Sequence, residues 1–241
     1  MTISLPKIIG HRGAPRRARE NTIEAFLAAR DEGADGIELD VHRSLDGALV
    51  VHHDAGIEGF GILAEQPFSA IRSRFGWLPT LAEALDAGAG LLVNIEIKNS
   101  PKDADFDPTE RMAEAVVRLL HERAHDDVIV SSFNLPSIER VHALDRDIPT
   151  GYLMAAKPMP LDGLAIAVAG GHGAVHPLFA MLGGSALTDV VDQAHALEIA
   201  VNVWTVNDPD EINRLAAAGV DAIITDAPAD ARAALLGESM A

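Results

Sequence analysis

Three acidic side chains occupy positions where β-strands are expected: Glu38 and Asp40 in GADGIELDVHR, and Glu96 in LLVNIEIKN. Side chains along a strand alternate between its two faces, so Glu38 and Asp40 share one face while aliphatic neighbours occupy the other. Interior carboxylates are costly unless a cation or a metal ion balances them. The sequence therefore predicts a three-carboxylate site for a hard divalent cation, Mg²⁺ or Ca²⁺, because such ions prefer oxygen ligands.

An alternative interpretation is that these acids are exposed, or are paired with basic residues such as Arg43 and Lys98. A lone Glu-x-Asp pair is common and by itself favours this plainer interpretation. The third acid, at the equivalent level of a second predicted strand, favours the metal site instead.

Two histidines are predicted to lie near the same carboxylates. His11 ends the first predicted strand, and the run His52-His53-Asp54 ends a predicted hairpin strand. An imidazole titrates near neutral pH, so such a pair suits general acid–base catalysis. Because neighbouring residues on a strand face opposite ways, at most one of His52 and His53 faces the site.

The chain has ten histidines, and most of them must be packed or exposed residues without a catalytic role. His172 and His176, near the end of the sixth predicted strand, are weaker candidates. The sequence assigns no role to several others, His42 among them.

Arg12 and Lys98 are the cations predicted at the same place. With a metal ion they could bind a phosphate and offset the negative charge that builds up in a transition state. Charge balance with Glu96 or Glu38 is the alternative for Lys98. Trp204, on the predicted inward face with Asn202, either covers an apolar or polyol part of a substrate or fills the core.

Short Val- and Ile-rich runs alternate with longer Ala/Leu/Glu/Arg segments along the whole chain. Strands are predicted at 8–11, 36–42, 91–98, 128–132, 150–153, 174–176, 200–204 and 222–225. Helices are predicted at 22–32, 80–86, 109–121, 136–144, 161–169, 187–197, 209–218 and 228–236. Eight strand–helix units in 241 residues match a (β/α)₈ TIM barrel, which typically needs about 250. An open doubly wound sheet is the rival, but no Gly-x-Gly-x-x-Gly follows the first strand.

The connections between these elements carry their own patterns. Residues 44–47 are turn-like and 48–54 form an extra predicted strand, so a hairpin is expected after the second barrel strand. Residues 55–79 lack a clean period and are predicted to form a loop or short helix over the barrel mouth. Asn207-Asp208-Pro209 and Asp226-Ala227-Pro228 predict helix starts with a capping side chain before the proline. No linker or repeat interrupts the chain, so residues 1–241 are predicted to form one domain.

In a (β/α)₈ barrel the reactive groups come from the C-terminal ends of the strands. That rule gathers the candidate residues at one end of the predicted barrel: His11, Glu38, Asp40, Glu96, Lys98, Ser131 and Trp204.

The overall composition narrows the possible partners. A net charge of −17 argues against nucleic acid, since polyanion binding uses clustered Lys and Arg. No segment approaches the roughly 20 apolar residues of a membrane helix, and the start MTISLPKIIGHRG lacks a leader pattern. The sequence thus predicts a cytoplasmic protein without stable membrane insertion, with a small-molecule substrate. A homo-oligomer is left open.

An ordered set of motifs resembles the glycerophosphodiester phosphodiesterase family over nearly the whole chain. The set is His11-Arg12-Gly13, Glu20-Asn21-Thr22, Gly-Ile-Glu38-Leu-Asp40, His52-His53-Asp54, Pro79-Thr80-Leu81, Glu96-Ile97-Lys98, Ser132-Phe133, Val203-Trp204-Thr205 and Thr225-Asp226. The resemblance implies a TIM barrel with a divalent metal on Glu38, Asp40 and Glu96, and with His11 and His53 as the acid–base pair. It also implies phosphate contacts from Arg12 and Lys98, glycerol packing near Trp204, and a supporting role for Glu20.

The resulting hypothesis is metal-dependent hydrolysis of a glycerophosphodiester to glycerol 3-phosphate and an alcohol. His11 is taken as the base and His53 as the acid, with the reverse order left open. The attacking oxygen is either water or the glycerol 2-hydroxyl. Family members usually carry a longer insertion after the His-Asp pair, so the short segment at 55–79 leaves the alcohol group undetermined.

Three other functions are alternatives to hydrolysis. A phospholipase D-like lyase that forms a cyclic phosphate from a lysophospholipid would favour an apolar groove, for which Phe60, Ile62, Leu63 and Phe68 are the candidates. A non-catalytic barrel that binds a phosphorylated ligand would need a histidine or carboxylate to be missing or turned away. A metal-assisted sugar isomerase would need more acidic or basic ligands on the later strands.

Overall fold

The strands form a sheet that closes on itself, because β1 pairs with both β2 and β11. The computed structural model describes residues 5–123 and 127–237; residues 1–4, 124–126 and 238–241 of the predicted domain lie outside the described residues. The strands in that part of the chain are β1 (Lys7–Gly10), β2 (Gly36–Arg43), β3 (Leu49–Val51), β4 (Gly56–Ile57), β5 (Gly61–Ile62), β6 (Leu92–Ile97), β7 (Val128–Ser132), β8 (Thr150–Met154), β9 (Ala174–Pro177), β10 (Ala200–Val203) and β11 (Ala222–Thr225).

Helices follow the barrel strands and surround them. They are α1 (Ile23–Asp31), α2 (Phe68–Arg74), α3 (Leu81–Ala87), α4 (Arg111–Arg123), α5 (Leu135–Leu144), α6 (Pro160–Gly170), α7 (Ala186–Ala196), α8 (Pro209–Ala218) and α9 (Pro228–Leu236). With β3, β4 and β5 set aside, the remaining eight strands pair in parallel around the barrel in the order β1-β2-β6-β7-β8-β9-β10-β11. The predicted (β/α)₈ TIM barrel is confirmed.

The barrel separates apolar and polar side chains by strand alternation. Ile37, Leu39 and Val41 of β2 are fully buried and belong to the same apolar cluster as Phe26 of α1 and Leu85 of α3. Fully burying a side chain of this size contributes about 1.5–3 kcal/mol each. The outward face of β2 therefore packs against the helices, and its inward face carries Glu38 and Asp40.

Local sequence patterns fix the helix boundaries. Thr80 begins α3 with a capping box in which Glu83 bonds back to the Thr80 backbone, and the Asp208 side chain caps α8 before Pro209. The prediction for Asp226-Ala227-Pro228 was right about the helix start and wrong about the capping side chain. The helix begins at Pro228 as expected, but Asp226 makes no capping hydrogen bond, because its carboxylate bonds with His11 and Asn207 instead.

The predicted hairpin after the second strand is present, with β3 antiparallel to β2 and Val41 opposite Val51. The following segment contains α2 and does not cover the barrel mouth. It buries Leu63 and Ile71 against Val50 of the hairpin, and none of its residues lines the cavity at the mouth. The predicted short helix is therefore present, but the segment packs on the hairpin and does not line the mouth cavity, because its apolar side chains form a cluster of their own.

Within the described residues, no helix combines the length and the apolar character that crossing a membrane requires.

Candidate active site

Glu38, Asp40 and Glu96 lie together inside the C-terminal end of the barrel. Parallel pairing of β2 with β6 sets Asp40 opposite Glu96. Each of the three residues offers a carboxylate oxygen within 4.8 Å of the others, and each is at most 8% exposed. The Glu38 Oε1 atom is buried without any hydrogen-bond partner. An oxygen-only donor set with one unsatisfied buried oxygen fits a hard divalent cation.

Ionisation is hindered at Glu38 and Glu96 but favoured at Asp40. Burial, followed by the neighbouring charge of Asp40, raises the pKa of Glu38 to about 8. Burial also raises the pKa of Glu96, although Lys98 opposes this effect. Burial alone would raise the pKa of Asp40 too, but the cations Lys98 and Arg12 outweigh it and lower that pKa. Added positive charge would relieve this crowding.

The loop after β1 is shaped around the same carboxylates. The backbone N–H of Arg12 donates to Glu38 Oε2 at 2.9 Å, and Asn21 Nδ2 donates to Asp40 Oδ2 at 2.7 Å. Gly13 has φ +89°, and a Cβ atom there would lie 2.6 Å from the Ala25 carbonyl oxygen. Only glycine allows this close turn of the backbone against α1.

The two predicted phosphate-binding cations are both engaged with acids. Arg12 Nη1 donates to Glu20 Oε1 at 2.9 Å, and its Nε lies 3.2 Å from Asp40 Oδ2. Lys98 Nζ lies 2.9 Å from Glu96 Oε1 and 3.5 Å from Asp40 Oδ1. The charge-balance alternative for Lys98 thus describes its observed contacts, and its role toward phosphate stays a prediction. The contact of Glu20 with Arg12 agrees with a supporting role in the first loop.

His11 is oriented by a carboxylate that the sequence placed elsewhere. Its Nδ1 lies 2.7 Å from Asp226 Oδ1, and Asn207 Nδ2 donates to the other Asp226 oxygen at 2.6 Å. Because a carboxylate accepts, Nδ1 carries the proton and Nε2 is left for a reacting group. Burial alone would lower the pKa of His11, but the bond with Asp226 and the charge of Glu38 raise it.

His53 reaches the site from the end of the β2–β3 hairpin. Its Nδ1 lies 2.8 Å from Asp54 Oδ1, and its side chain is 36% exposed. Burial, helped by Lys98 and Arg12, lowers its pKa against the opposing charge of Asp40. The ring of His52 instead lies 6.2 Å from the Trp77 ring, outside the cavity. As expected, only one of the two neighbouring histidines lines the cavity, although both lie just beyond the end of β3.

A cavity of about 140 Å³ joins these groups at the barrel mouth. Its lining residues are His11, Arg12, Glu38, His53, Asn94, Glu96, Lys98, Phe133, Leu153, Trp204 and Ile224. Trp204 donates from Nε1 to the His176 carbonyl at 2.8 Å, and its ring meets Phe133 edge-on at 5.4 Å. The two rings form an apolar wall beside the charged groups, a mixture typical of small-molecule sites.

Sequence reasoning missed Asp226, Asn21 and Phe133 as parts of this site. Asp226 and Phe133 each lie one residue beyond a barrel strand, so the strand-end rule, applied strictly, would have found both. Asn21 lies in a loop, and nothing in its neighbourhood indicates that it reaches Asp40.

A closed barrel with a carboxylate centre and two histidines at its C-terminal mouth is the arrangement of a (β/α)₈ enzyme. Comparisons with known proteins specify it further. The model of the glycerophosphoryl diester phosphodiesterase family matches residues 11–62 and 58–230, and the chain belongs to that family.

Relatives of known name cover almost the whole chain. A glycerophosphodiester phosphodiesterase of Caldanaerobacter subterraneus is 30% identical over 92% of this chain and 94% of its own length. A second, from Bacillus altitudinis, is 30% identical over 93% and 96%. An Oleispira antarctica phosphodiesterase, solved in complex with the product sn-glycerol-3-phosphate, superimposes with a TM-score of 0.82 at 25% identity, covering 96% of this chain and 97% of that one. The chain is thus a phosphodiesterase of this family.

Proposed function

We propose that the protein hydrolyses glycerophosphodiesters to glycerol 3-phosphate and an alcohol, with a divalent cation bound by Glu38, Asp40 and Glu96. The observation that carries the proposal is that these acids, two histidines and two cations converge on one cavity mouth. The product bound in the Oleispira antarctica relative supports glycerol 3-phosphate as the shared half of the substrate.

The metal proposal rests on the fit of the carboxylates. When bound, an Mg²⁺ or Ca²⁺ ion supplies positive charge that polarises the phosphate and lowers the pKa of a coordinated oxygen. Arg12 adds a guanidinium suited to phosphate oxygens. Lys98 adds an ammonium group, which a cation among the carboxylates would release from Glu96 for that purpose.

We assign the base to His11. Its Nδ1–H is held by Asp226, so Nε2 can accept the proton of the attacking oxygen while the carboxylate stabilises the imidazolium that forms. That oxygen is either water or the 2-hydroxyl of the glycerol.

We assign the acid to His53, which would give a proton to the departing alkoxide. The opposite assignment remains the alternative, since a lowered pKa for His53 and a raised pKa for His11 favour it. The two assignments can be distinguished with a substrate whose alcohol leaves without being protonated. Loss of the histidine that acts as the acid should slow that substrate less than an ordinary diester.

The rival functions receive less support. A non-catalytic barrel would need one key side chain turned away, whereas His11, His53, Glu38 and Glu96 all line the same cavity. The lyase would use an apolar groove, but Leu63 is fully buried inside the insertion and does not reach the cavity.

The proposal is tested by incubating the purified protein with glycerophosphocholine and glycerophosphoethanolamine, with Mg²⁺ or Ca²⁺ and with a chelator. We expect glycerol 3-phosphate to be released only with metal. Glu38→Gln and His53→Ala should each reduce kcat by at least about 100-fold with an unchanged melting profile. The first removes a proposed metal ligand, and bound metal contributes several kcal/mol to the transition state; the second removes an acid–base group, which contributes about 10²–10⁴.

The matched control is His52→Ala, because His52 neighbours His53 in sequence but faces Trp77. Its turnover should stay near that of the wild type. Release that is unaffected by the chelator would remove the metal from the proposal, and no release from either diester would contradict the hydrolysis itself. A cyclic phosphate seen by ³¹P NMR would identify the 2-hydroxyl as the attacking oxygen.

A further inference from the structure

His42 is a buried histidine whose two ring nitrogens both meet oxygen atoms. It lies on β2, two residues after Asp40. Its Nδ1 lies 2.7 Å from Asp105 Oδ2, and its Nε2 lies 3.1 Å from the backbone carbonyl oxygen of His53. The side chains of His42 and Asp105 are each 1% exposed. Because both side chains are buried, the pair is not an ordinary surface ion pair, and it contacts the backbone of His53.

The direction of one hydrogen bond is fixed by chemistry. A backbone carbonyl only accepts, so His42 Nε2 carries a hydrogen and donates it to the His53 oxygen. The Asp105 carboxylate lies against the other nitrogen and fixes the ring plane. Together they direct one donor at the backbone of His53.

His53 has few other restraints. The last backbone hydrogen bond between β2 and the hairpin runs from the His52 N–H to the Asp40 carbonyl at 3.0 Å, one residue before His53. Among the described residues, the His53 side chain bonds to Asp54, which is itself 74% exposed. The hydrogen bond from His42 is the buried contact made to the backbone of His53 itself.

The opposite end of the pair is also held firmly. Asp105 belongs to the β6–α4 connection, residues 98–110, which begins at Lys98. Asn99 ties this connection to itself through Asp107, whose N–H donates to Asn99 Oδ1 at 2.8 Å, and through Glu110 Oε2 at 3.0 Å. Glu110 is buried and also accepts from Asn134 and Ser137 at the start of α5.

We propose that His42, oriented by Asp105, is a positioning residue that holds His53 in place for proton transfer. The inference rests on the proposed function, in which His53 protonates the leaving alkoxide. It adds a residue that contacts neither the cavity nor the three carboxylates.

The test compares two diesters of glycerol 3-phosphate, one with choline and one with 4-nitrophenol. Choline needs a proton to leave, whereas nitrophenolate departs as a stable anion. We expect His42→Leu to reduce kcat for the choline diester by about 10²-fold and for the nitrophenyl diester by less than about threefold, since acid catalysis contributes about 10²–10⁴. The KM should change little. His53→Ala should show the same selectivity.

A conservative pair separates hydrogen bonding from packing. In Asp105→Asn, the amide N–H can donate to Nδ1 of a neutral His42 while Nε2–H still points at His53, so the wild-type selectivity should return. Asp105→Ala offers no partner and should reproduce part of the His42→Leu loss. His172→Leu controls for destabilisation, because His172 is equally buried and its side chain, within the described part of the chain, hydrogen-bonds to Thr150 on β8.

Equal slowing of both diesters by His42→Leu, as in His172→Leu, would overturn the inference. A wild type that releases no glycerol 3-phosphate, or a His53→Ala variant that slows both diesters equally, would instead overturn the proposed function or its acid assignment. ¹⁵N–¹H NMR gives a readout without turnover: a slowly exchanging His42 Nε2–H signal is expected, and its absence in the wild type contradicts the hydrogen bond.

Discussion

Single residues decide the geometry of the mouth, and several do so in uncommon backbone conformations. Arg12 and Asn21 have φ +54° and +56°, a region that most non-glycine residues avoid. In return, Arg12 presents its N–H to Glu38 and Asn21 its amide to Asp40. The loop between them is thus shaped by contacts with the carboxylates.

Asp226 provides the first test at this scale. Asp226→Ala removes the carboxylate that accepts from His11 Nδ1, so the ring loses its fixed orientation and tautomer. We expect kcat for glycerophosphocholine to fall about 10- to 100-fold with little change in KM, since the group acts through an acid–base histidine. Steady-state kinetics measure this, and circular dichroism checks the fold.

Asp226→Asn is the companion variant. Its amide oxygen can still accept from Nδ1 but no longer stabilises an imidazolium by charge. An intermediate loss would support the assigned base, whereas wild-type kinetics in both variants would remove Asp226 from the mechanism.

The sequence showed the acids and histidines because each interrupts an apolar pattern at a strand end. It did not show Asp226, since an Asp two residues before a proline also fits a helix cap. It also did not show His42, because a histidine on a strand carries no pattern that distinguishes a buried hydrogen-bonded ring from an exposed one.

Elements were predicted well where they are periodic. All eight barrel strands lie within one residue of their predicted limits, because alternation and short apolar runs are properties of each segment alone. The insertion was predicted poorly. Its apolar side chains follow no period, and only the three-dimensional contact with Val50 shows which way they face.

A strand-level prediction concerns β8 and β9. The His176 ring lies over Gly151, where a Cβ atom would fall well inside van der Waals contact with Nε2. Gly151→Ala should therefore lower the free energy of unfolding by about 1–3 kcal/mol, the usual cost of overpacking. Chemical denaturation measures the change.

The same substitution in a His176→Ala background provides the control. Without the imidazole the three atoms nearest to the added methyl group are gone, so Gly151→Ala should cost much less there. Additive effects of the two substitutions would show that the ring is not what excludes a side chain at position 151.

At the scale of the whole molecule, the barrel is built from eight strand–helix units that can each be predicted from their own segment of sequence. The pairing of β1 with β2 closes it. A single domain, a cytoplasmic location and the choice between Mg²⁺ and Ca²⁺ stay predictions. Because the net charge is −17, the proposed phosphodiester substrate would have to be attracted locally, by the basic groups at the mouth, against the general field.

Stability against acid is a property of the whole molecule that two buried histidines should set. Burial, and for His172 the facing His142, lowers the pKa of His172 to about 4; burial lowers that of His176 to about 3. Unfolded, each would titrate near 6.5. Below pH 6.5 these histidines therefore bind protons in the unfolded chain but stay neutral in the folded protein. The free energy of unfolding should fall by up to about 1.4 kcal/mol per pH unit per histidine until the pH reaches the pKa values of the folded protein.

Urea denaturation at pH 7.5, 6, 5 and 4.5 measures this slope. The matched variant is His172→Asn with His176→Gln, whose amides can replace the hydrogen bonds to Thr150 and Asn202 without titrating. We expect its stability to fall less steeply between pH 6.5 and 4.5 than that of the wild type. Parallel slopes would mean that carboxylates alone govern the acid response, and that the two imidazoles take up protons in the folded barrel as readily as in the unfolded chain.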